Sequence, residues 1–297
     1  MRGAIIYGPG DVRFEERADP VVVEPTDAVI RTVAACVCGS DLWRYRGISD
    51  VAKPVPIGHE YVGIVEEVGA AVTTVRPGDF VVGGFQHSDN TCPVCRKGMH
   101  SACQHVGGFD GCQAERIRIP DADGTLLAAP GLPDADLIPS LLALSDVMCT
   151  GWHAAVCAGV QPGMSVVVVG DGAVGLSGVL AAAQMGATTV IAMSRHPSRQ
   201  QVRAARPGGM IGVVGVPHAD LPTDQMLWSN KGFRGGPAPV RAYLPHLLDL
   251  VWTRQIDPGK VFDLTLPLSE VAEAYQAMDE RRAIKVLLEP EGATPWR

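Results

Sequence analysis

The sequence predicts an α/β protein in two parts: a strand-rich, irregular domain and a doubly wound, parallel-sheet domain that is unusually short. Three observations carry this expectation. Short β-branched runs punctuated by Gly, Pro and Asp fill residues 1 to about 145. Beyond Pro139 apolar runs alternate with alanine-rich helical stretches, the pattern of βαβ units. Between one such run and its helix lies a glycine-rich turn, Gly170-Asp171-Gly172-Ala173-Val174-Gly175.

Taken in order, MRGAIIYGPGDVRFEE reads as a strand and a turn rather than a signal peptide. AVIRTVAA, YVGIVEEVG, DFVVGG and AERIRIP are the further strands of the first part. The segment from Ser140 to Ala158 is apolar and helix-like, and Pro162-Gly163 turns the chain into SVVVVG, a run suited to a buried parallel strand. The helix GAVGLSGVLAAAQMGA and the strand TTVIAMSRH complete one βαβ unit. A short helix in HPSRQQVRAARPGG, the strand MIGVVGVP and the strand candidate KGFRGG follow. VRAYLPHLLDLVW and LSEVAEAYQAMDE have helical periodicity, and AIKVLLEP closes the chain as a strand. Four strand candidates stand between Gly163 and Pro237, where a doubly wound domain of two complete halves has about six.

Composition limits the function. The chain has 297 residues, 46% of them hydrophobic, which is enough for two cores. A net charge of −7 without a Lys/Arg run argues against nucleic acid as a partner. No window of eighteen uninterrupted apolar residues occurs, so no membrane span is expected. The eight cysteines, without a secretion signal, read as reduced thiols or metal ligands of a cytoplasmic protein. A small-molecule partner is the remaining expectation.

Two clusters then stand out. Gly58-His59-Glu60 follows Cys36-Val37-Cys38-Gly39-Ser40-Asp41 by about twenty residues and reads either as a plain turn or as a metal site. The stretch from Ser88 to Cys103, which holds Cys92, Cys95 and Cys103, is a second cluster. The glycine turn follows a strand and opens a helix, the context in which GxGxxG holds a pyrophosphate on backbone N–H groups. Its residues Gly170, Gly172, Ala173, Val174 and Gly175 are therefore cofactor-binding candidates. The next strand ends in Ser194-Arg195-His196 with Arg199 nearby and no acid. A hydroxyl and a guanidinium suit a 2′-phosphate, which favours NADP(H) over NAD(H). The alternative is that Arg195 only caps the strand exit.

With GHExxGxxxxxG, the upstream CGSD and the GDGAVG turn in one chain, the sequence resembles the zinc-dependent alcohol dehydrogenases of the medium-chain dehydrogenase/reductase family over its whole length. The resemblance implies a GroES-like catalytic domain, residues 1–150 plus 238–297, and a Rossmann-type cofactor domain, residues 151–237. It implies a catalytic zinc on Cys38, His59 and Asp146, where many members have Cys at the last position, and a structural zinc on Asp89, Cys92, Cys95 and Cys103, where aspartate replaces the family's first cysteine; His87 as the fourth ligand, or a metal-free lobe, are the alternatives. Asp41 would fix the tautomer of His59, Ser40 would hydrogen-bond the substrate hydroxyl, and Glu60 would stand behind the metal and approach it as ligands exchange. Trp43 occupies the place of a relay histidine. Thr150 would lie behind the nicotinamide, with Val214, Gly215 and Val216 at its amide. Trp43, Phe85 and Phe109 would give the substrate pocket an apolar side.

The implied activity is reversible oxidation of an alcohol to an aldehyde or ketone with NAD(P), in a homo-oligomer, dimer or tetramer, paired near Lys231 to Gly236. Against the family, about fifty residues are lacking between Arg199 and Val202, and GGFDGCQAE points to a second, smaller omission. A truncated paralogue, a compact variant with a rearranged sheet, or residues left out of the sequence would each account for this. Two further readings follow: a zinc-binding paralogue with weak or no turnover, and a quinone or enone reductase of the same superfamily.

Overall fold

The computed structural model describes residues 1–193, 205–215 and 222–291. The chain divides into two units, Met1–Ser145 with Val240–Arg297, and Asp146–Pro239.

The first unit is built on sheets. Its strands are β1 (Arg2–Gly8), β2 (Asp11–Glu16), β3 (Ala28–Cys36), β4 (Val55–Pro56), β5 (Tyr61–Val68), β6 (Phe80–Gly83), β7 (Gln86–His87), β8 (Gly107–Gly108), β9 (Arg116–Ile119) and β10 (Leu126–Ala128). In the second unit follow β11 (Ser165–Val169), β12 (Thr189–Met193), β13 (Met210–Val213) and β14 (Gly232–Gly235). The chain then re-enters the first unit with β15 (Leu264–Pro267) and β16 (Val286–Glu289).

A seven-stranded sheet runs β10-β6-β5-β3-β16-β15, with β9 also on β3, and a three-stranded sheet runs β2-β1-β4. Eight of the nine β3 residues are buried, as expected of a strand with neighbours on both edges. Two apolar cores form here. One gathers Ile6, Ile57, Tyr275 and Leu288; the other gathers Ile30, Tyr61, Ile117 and Leu126.

The register of β3 positions the chemistry. Ala35 pairs with Tyr61 on β5, which sets Glu60 beside the end of β3, and Cys36 pairs with Leu287 on β16 from the other side. Both pairings are antiparallel, so Lys285, two residues before Leu287, comes level with Cys38. A strand from the far end of the chain thus completes the surroundings of a motif near its start.

The helix-like segment from Ser140 to Ala158 is two helices, Ile138–Ala143 and Val147–Cys157. The break falls at Leu144-Ser145-Asp146, where Asp146 leaves the helical region at φ −150°, ψ −74° as the N-cap of the second helix. No single helix among the described residues is long and apolar enough to cross a membrane.

The second unit holds two parallel ribbons. β11 pairs with β12, Ser165 to Thr189 through Val169 to Met193, and β13 pairs with β14, Met210 to Gly232 through Val213 to Gly235. Among the described residues the two ribbons share no hydrogen-bonded strand pair. The helix Val147–Cys157 packs on the helix Ala173–Gln184 and on β13. The contacts are close: the carbonyl of Ala154 leaves no room for a side chain at Gly212.

Candidate active site

In the first unit Cys38, His59 and Glu60 offer a thiol, an imidazole nitrogen and a carboxylate oxygen within 4.8 Å of one another. Local folding explains the convergence. Cys38 follows directly from β3, and His59 and Glu60 lead directly into β5. Gly58 makes the turn that aims His59: its φ is +98°, and an added Cβ would stand 2.4 Å from Gln113. Its carbonyl accepts from the amides of Gly111 and Cys112, both at 2.9 Å, which pins the turn to the neighbouring loop.

His59 is held from both ring nitrogens. Nδ1 faces Asp41 Oδ1 at 3.2 Å, and Nε2 lies 3.4 Å from Ser40 Oγ. A carboxylate at Nδ1 keeps the proton there and leaves the Nε2 lone pair for a cation or a hydroxyl. Asp41 is itself positioned: its Oδ2 accepts from the amide of Cys38 at 3.0 Å and from Gln113 Nε2 at 3.3 Å. Gln113 in turn donates to the Cys36 carbonyl and accepts from the Tyr275 hydroxyl at 3.1 Å. Phe85 sets its ring edge-on to His59, with centroids 6.2 Å apart. Ser40 is exposed, while Cys38, Asp41 and Glu60 are buried.

Glu60 is fully buried and pairs through Oε1 with Lys285 Nζ at 2.6 Å. The same ammonium donates to the Val37 carbonyl at 3.2 Å and stands over the Phe262 ring. Burial opposes the charge of Lys285, but the carboxylate of Glu60 outweighs it and holds the lysine well above its ordinary range. Burial and then Glu60 push the Cys36 thiol up, so it stays protonated. Gln113, Tyr275 and Lys285 were not singled out by sequence. The one available signal was a lysine inside the apolar closing run AIKVLLEP.

The donor chemistry fits zinc. Sulfur, imidazole and carboxylate are its ordinary ligands, and a tetrahedral ion with bonds of roughly 2.0 to 2.3 Å spaces its donors about 3.3 to 3.8 Å apart.

The second cluster is Asp89, Cys92, Cys95 and Cys103, again with donor atoms within 4.8 Å of one another. Cys92 Sγ and Cys103 Sγ are 3.9 Å apart, near the spacing of two thiolates on one zinc. Amides point at the sulfurs: Asp89 and His105 donate to Cys103, and Cys95 donates to Cys92. The Gln104 amide leads in lowering the Cys92 thiol to about 7, while burial raises Cys95. Burial works against the charge of Asp89, yet the amides of Cys92 and Thr91 and the ring of His105 hold its carboxyl below the usual range. His87 turns Nδ1 to Asp121 at 2.7 Å and lies outside the cluster.

In the second unit Asp146 caps the helix that carries Thr150, and the Thr150 hydroxyl donates to Asp146 Oδ1 at 2.6 Å. Gly170 and Gly172 lie in the turn between β11 and the helix Ala173–Gln184, whose first turn carries Ala173, Val174 and Gly175. Gly175 is obligatory for this turn, because a Cβ there would stand 2.1 Å from the Gly170 carbonyl. Val214 and Gly215 follow β13. Ser194, Arg195, Arg199 and Val216 lie outside the described residues.

Residues 24–131 match the family profile described as the alcohol dehydrogenase GroES-like domain. A probable zinc-binding alcohol dehydrogenase of Mycobacterium tuberculosis is 31% identical, with 93% of this chain and 84% of that protein aligned. An uncharacterised zinc-type alcohol dehydrogenase-like protein, AdhB of Bacillus subtilis, is 28% identical over 382 aligned positions, spanning 98% of this chain and 100% of that protein. That alignment is longer than the 297-residue chain, so the relative carries segments without counterpart here. Among solved structures, alcohol dehydrogenase TADH from Thermus sp. ATN1 superposes with a TM-score of 0.87 at 28% identity, covering 98% of this chain and 100% of the other.

Proposed function

Since this chain belongs to the zinc-type alcohol dehydrogenases of the medium-chain dehydrogenase/reductase family, we propose that it oxidises an alcohol to an aldehyde or ketone, reversibly, with a nicotinamide cofactor as hydride acceptor. The observation that carries this is the converging donor set of Cys38, His59 and Glu60, with Asp41 on the far nitrogen of His59.

Cys38, His59 and Asp146 would hold the catalytic zinc. Bound there, the ion supplies a Lewis acid that lowers the pKa of an alcohol and polarises a carbonyl. The remaining work falls to the chain. Asp41 keeps the His59 proton on Nδ1, and Cys38 donates its amide to Asp41, so the two ligands share one support. Ser40 Oγ, beside His59 and exposed, accepts the proton of the substrate hydroxyl and passes it to solvent. Phe85, with Trp43 and Phe109, supplies an apolar wall that favours a hydrocarbon side chain of moderate size. Asp89, Cys92, Cys95 and Cys103 would hold a second, structural zinc, a closed staple for the lobe.

Gly170 to Gly175 would receive the pyrophosphate at the N-terminus of the helix Ala173–Gln184. NADP(H) is favoured, because β12 ends at Met193 and the following Ser194 and Arg195 offer a 2′-phosphate donors and no competing carboxylate. Thr150, Val214 and Gly215, with Val216 next in sequence, would receive the nicotinamide. Copies of the chain pair through β14, where Phe233 is half exposed.

One observation favours a second reading, a zinc-binding paralogue with weak turnover. The second unit exposes Ile191, Met210 and Phe233 on its strands, whereas parallel sheets are ordinarily covered on both faces. A cofactor domain shortened by roughly fifty residues accounts for this.

Metal analysis and a cofactor melt separate the readings. The enzyme reading expects about two zinc per chain and a rise in melting temperature with saturating NADP, which stabilises by mass action. Two zinc without any rise with NADP or NAD favours the inactive paralogue.

A further inference from the structure

The buried pair of Lys285 and Glu60 is costly to place where it stands. An ammonium and a carboxylate taken out of water lose several kcal/mol of hydration each, and hydrophobic replacements of similar volume are often no less stable. Stability is therefore a weak explanation for a lysine 1% exposed against a glutamate 0% exposed. The position of the glutamate offers a better one. Its carboxylate belongs to the same set of close donors as Cys38 and His59.

A carboxylate within reach of a zinc ion binds it unless something else holds it. Lys285 Nζ holds Glu60 Oε1 at 2.6 Å and is itself fixed by the Val37 carbonyl at 3.2 Å and by the ring of Phe262. The register of β16 on β3 sets the place of the lysine's backbone, and an ammonium that followed the carboxylate toward the metal would give up its bond to the Val37 carbonyl. Lys285 and a bound zinc would thus compete for one carboxylate. We propose that Lys285 is a positioning residue that restrains Glu60 from becoming a permanent metal ligand and so keeps one coordination place open for substrate. The inference rests on the reading of Cys38 and His59 as zinc ligands.

The test uses the full-length protein with cobalt in place of zinc, and reads azide binding from the visible spectrum. A closed lobe with four protein ligands takes no azide, so the signal reports the open site. In Lys285→Met the released carboxylate enters the metal shell: azide affinity falls by roughly 10-fold or more, and loss of metal to a chelator slows by a similar factor, the size of effect usual for residues that orient ligands. Lys285→Arg, which keeps the ion pair, restores azide binding. Lys285→Met with Glu60→Gln restores it too, because the amide competes poorly for the metal.

A purely structural lysine gives the opposite pattern: Lys285→Met loses metal faster, and Glu60→Gln does not rescue it. If Lys285→Met does not fold, Glu60→Gln alone decides. The restrained carboxylate predicts azide affinity within about twofold of the unaltered protein, and a clear gain would show that Glu60 already occupies the metal. If the unaltered cobalt protein takes no azide, the zinc-site reading falls and this inference with it. If it takes azide and Lys285→Met is unchanged, this inference alone falls.

Discussion

The two units of this molecule handle the same problem, an apolar sheet, in different ways. In the first, β3 is hydrogen-bonded on both edges and almost wholly buried, and the donors Cys38, His59 and Glu60 stand at strand ends that the register fixes. In the second, β11 and β12 form one ribbon, β13 and β14 another, and among the described residues Val167, Ile191, Met210 and Phe233 remain more than a third exposed. Cys38, His59 and Glu60 therefore stand where paired strands hold them. The glycine turn needs only one strand, one helix start and close backbone packing at Gly175.

Substitutions can break this contrast. The largest effect is expected at His59: His59→Ala removes a metal donor, and turnover with alcohol falls by roughly 1000-fold or more, several kcal/mol of charge stabilisation. Steady-state kinetics beside zinc content checks it. Next, Cys95→Ala opens the lobe. The metal content drops by one per chain, and the melting temperature falls by about 10 °C, since several kcal/mol move a domain of this size by that much. Scanning calorimetry reads the change, and activity per remaining chain stays the lesser casualty.

Asp27 sharpens the account of the first unit at lower cost. Its Oδ2 accepts from Arg118 Nε at 2.6 Å and from the amides of Val23 and Glu24. Burial opposes the charge, yet these donors hold the folded carboxyl below its ordinary range. A depressed folded pKa means that the stabilisation is fully present above the unfolded value, near 4, and is lost as pH falls through the folded one. Asp27→Asn should therefore cost about 1 to 2 kcal/mol at neutral pH, with the gap to the unaltered protein narrowing in acid; denaturant titrations at two pH values measure it. The smallest effect is at Trp228, 85% exposed. Trp228→Ser should change stability by no more than about 0.5 kcal/mol, and a larger loss would mean that the second unit is covered after all.

Much of the first unit was legible in the sequence, because its signals are local. Strand runs such as AVIRTVAA and YVGIVEEVG alternate with turn residues, and Gly58, Cys38 and Asp41 lie within about twenty residues of one another. What stayed hidden was distant. Lys285 meets Glu60 across 225 residues, and Tyr275 meets Gln113 across 162, through pairings that no local pattern encodes. The continuous apolar run from Ser140 to Ala158 also concealed a break, since periodicity registers apolar faces and not the single backbone rotation at Asp146. In the second unit four strand candidates were readable and four strands stand among the described residues, but their division into two ribbons depends on which strands find partners.

The central claim is that the donors around His59 serve a hydride transfer from an alcohol to a nicotinamide cofactor. Reduction of NADP by zinc-replete, full-length protein with a panel of primary and secondary alcohols tests it most directly. The account predicts alcohol-dependent reduction that disappears in His59→Ala; zinc-replete protein that reduces neither NADP nor NAD with any alcohol would contradict it.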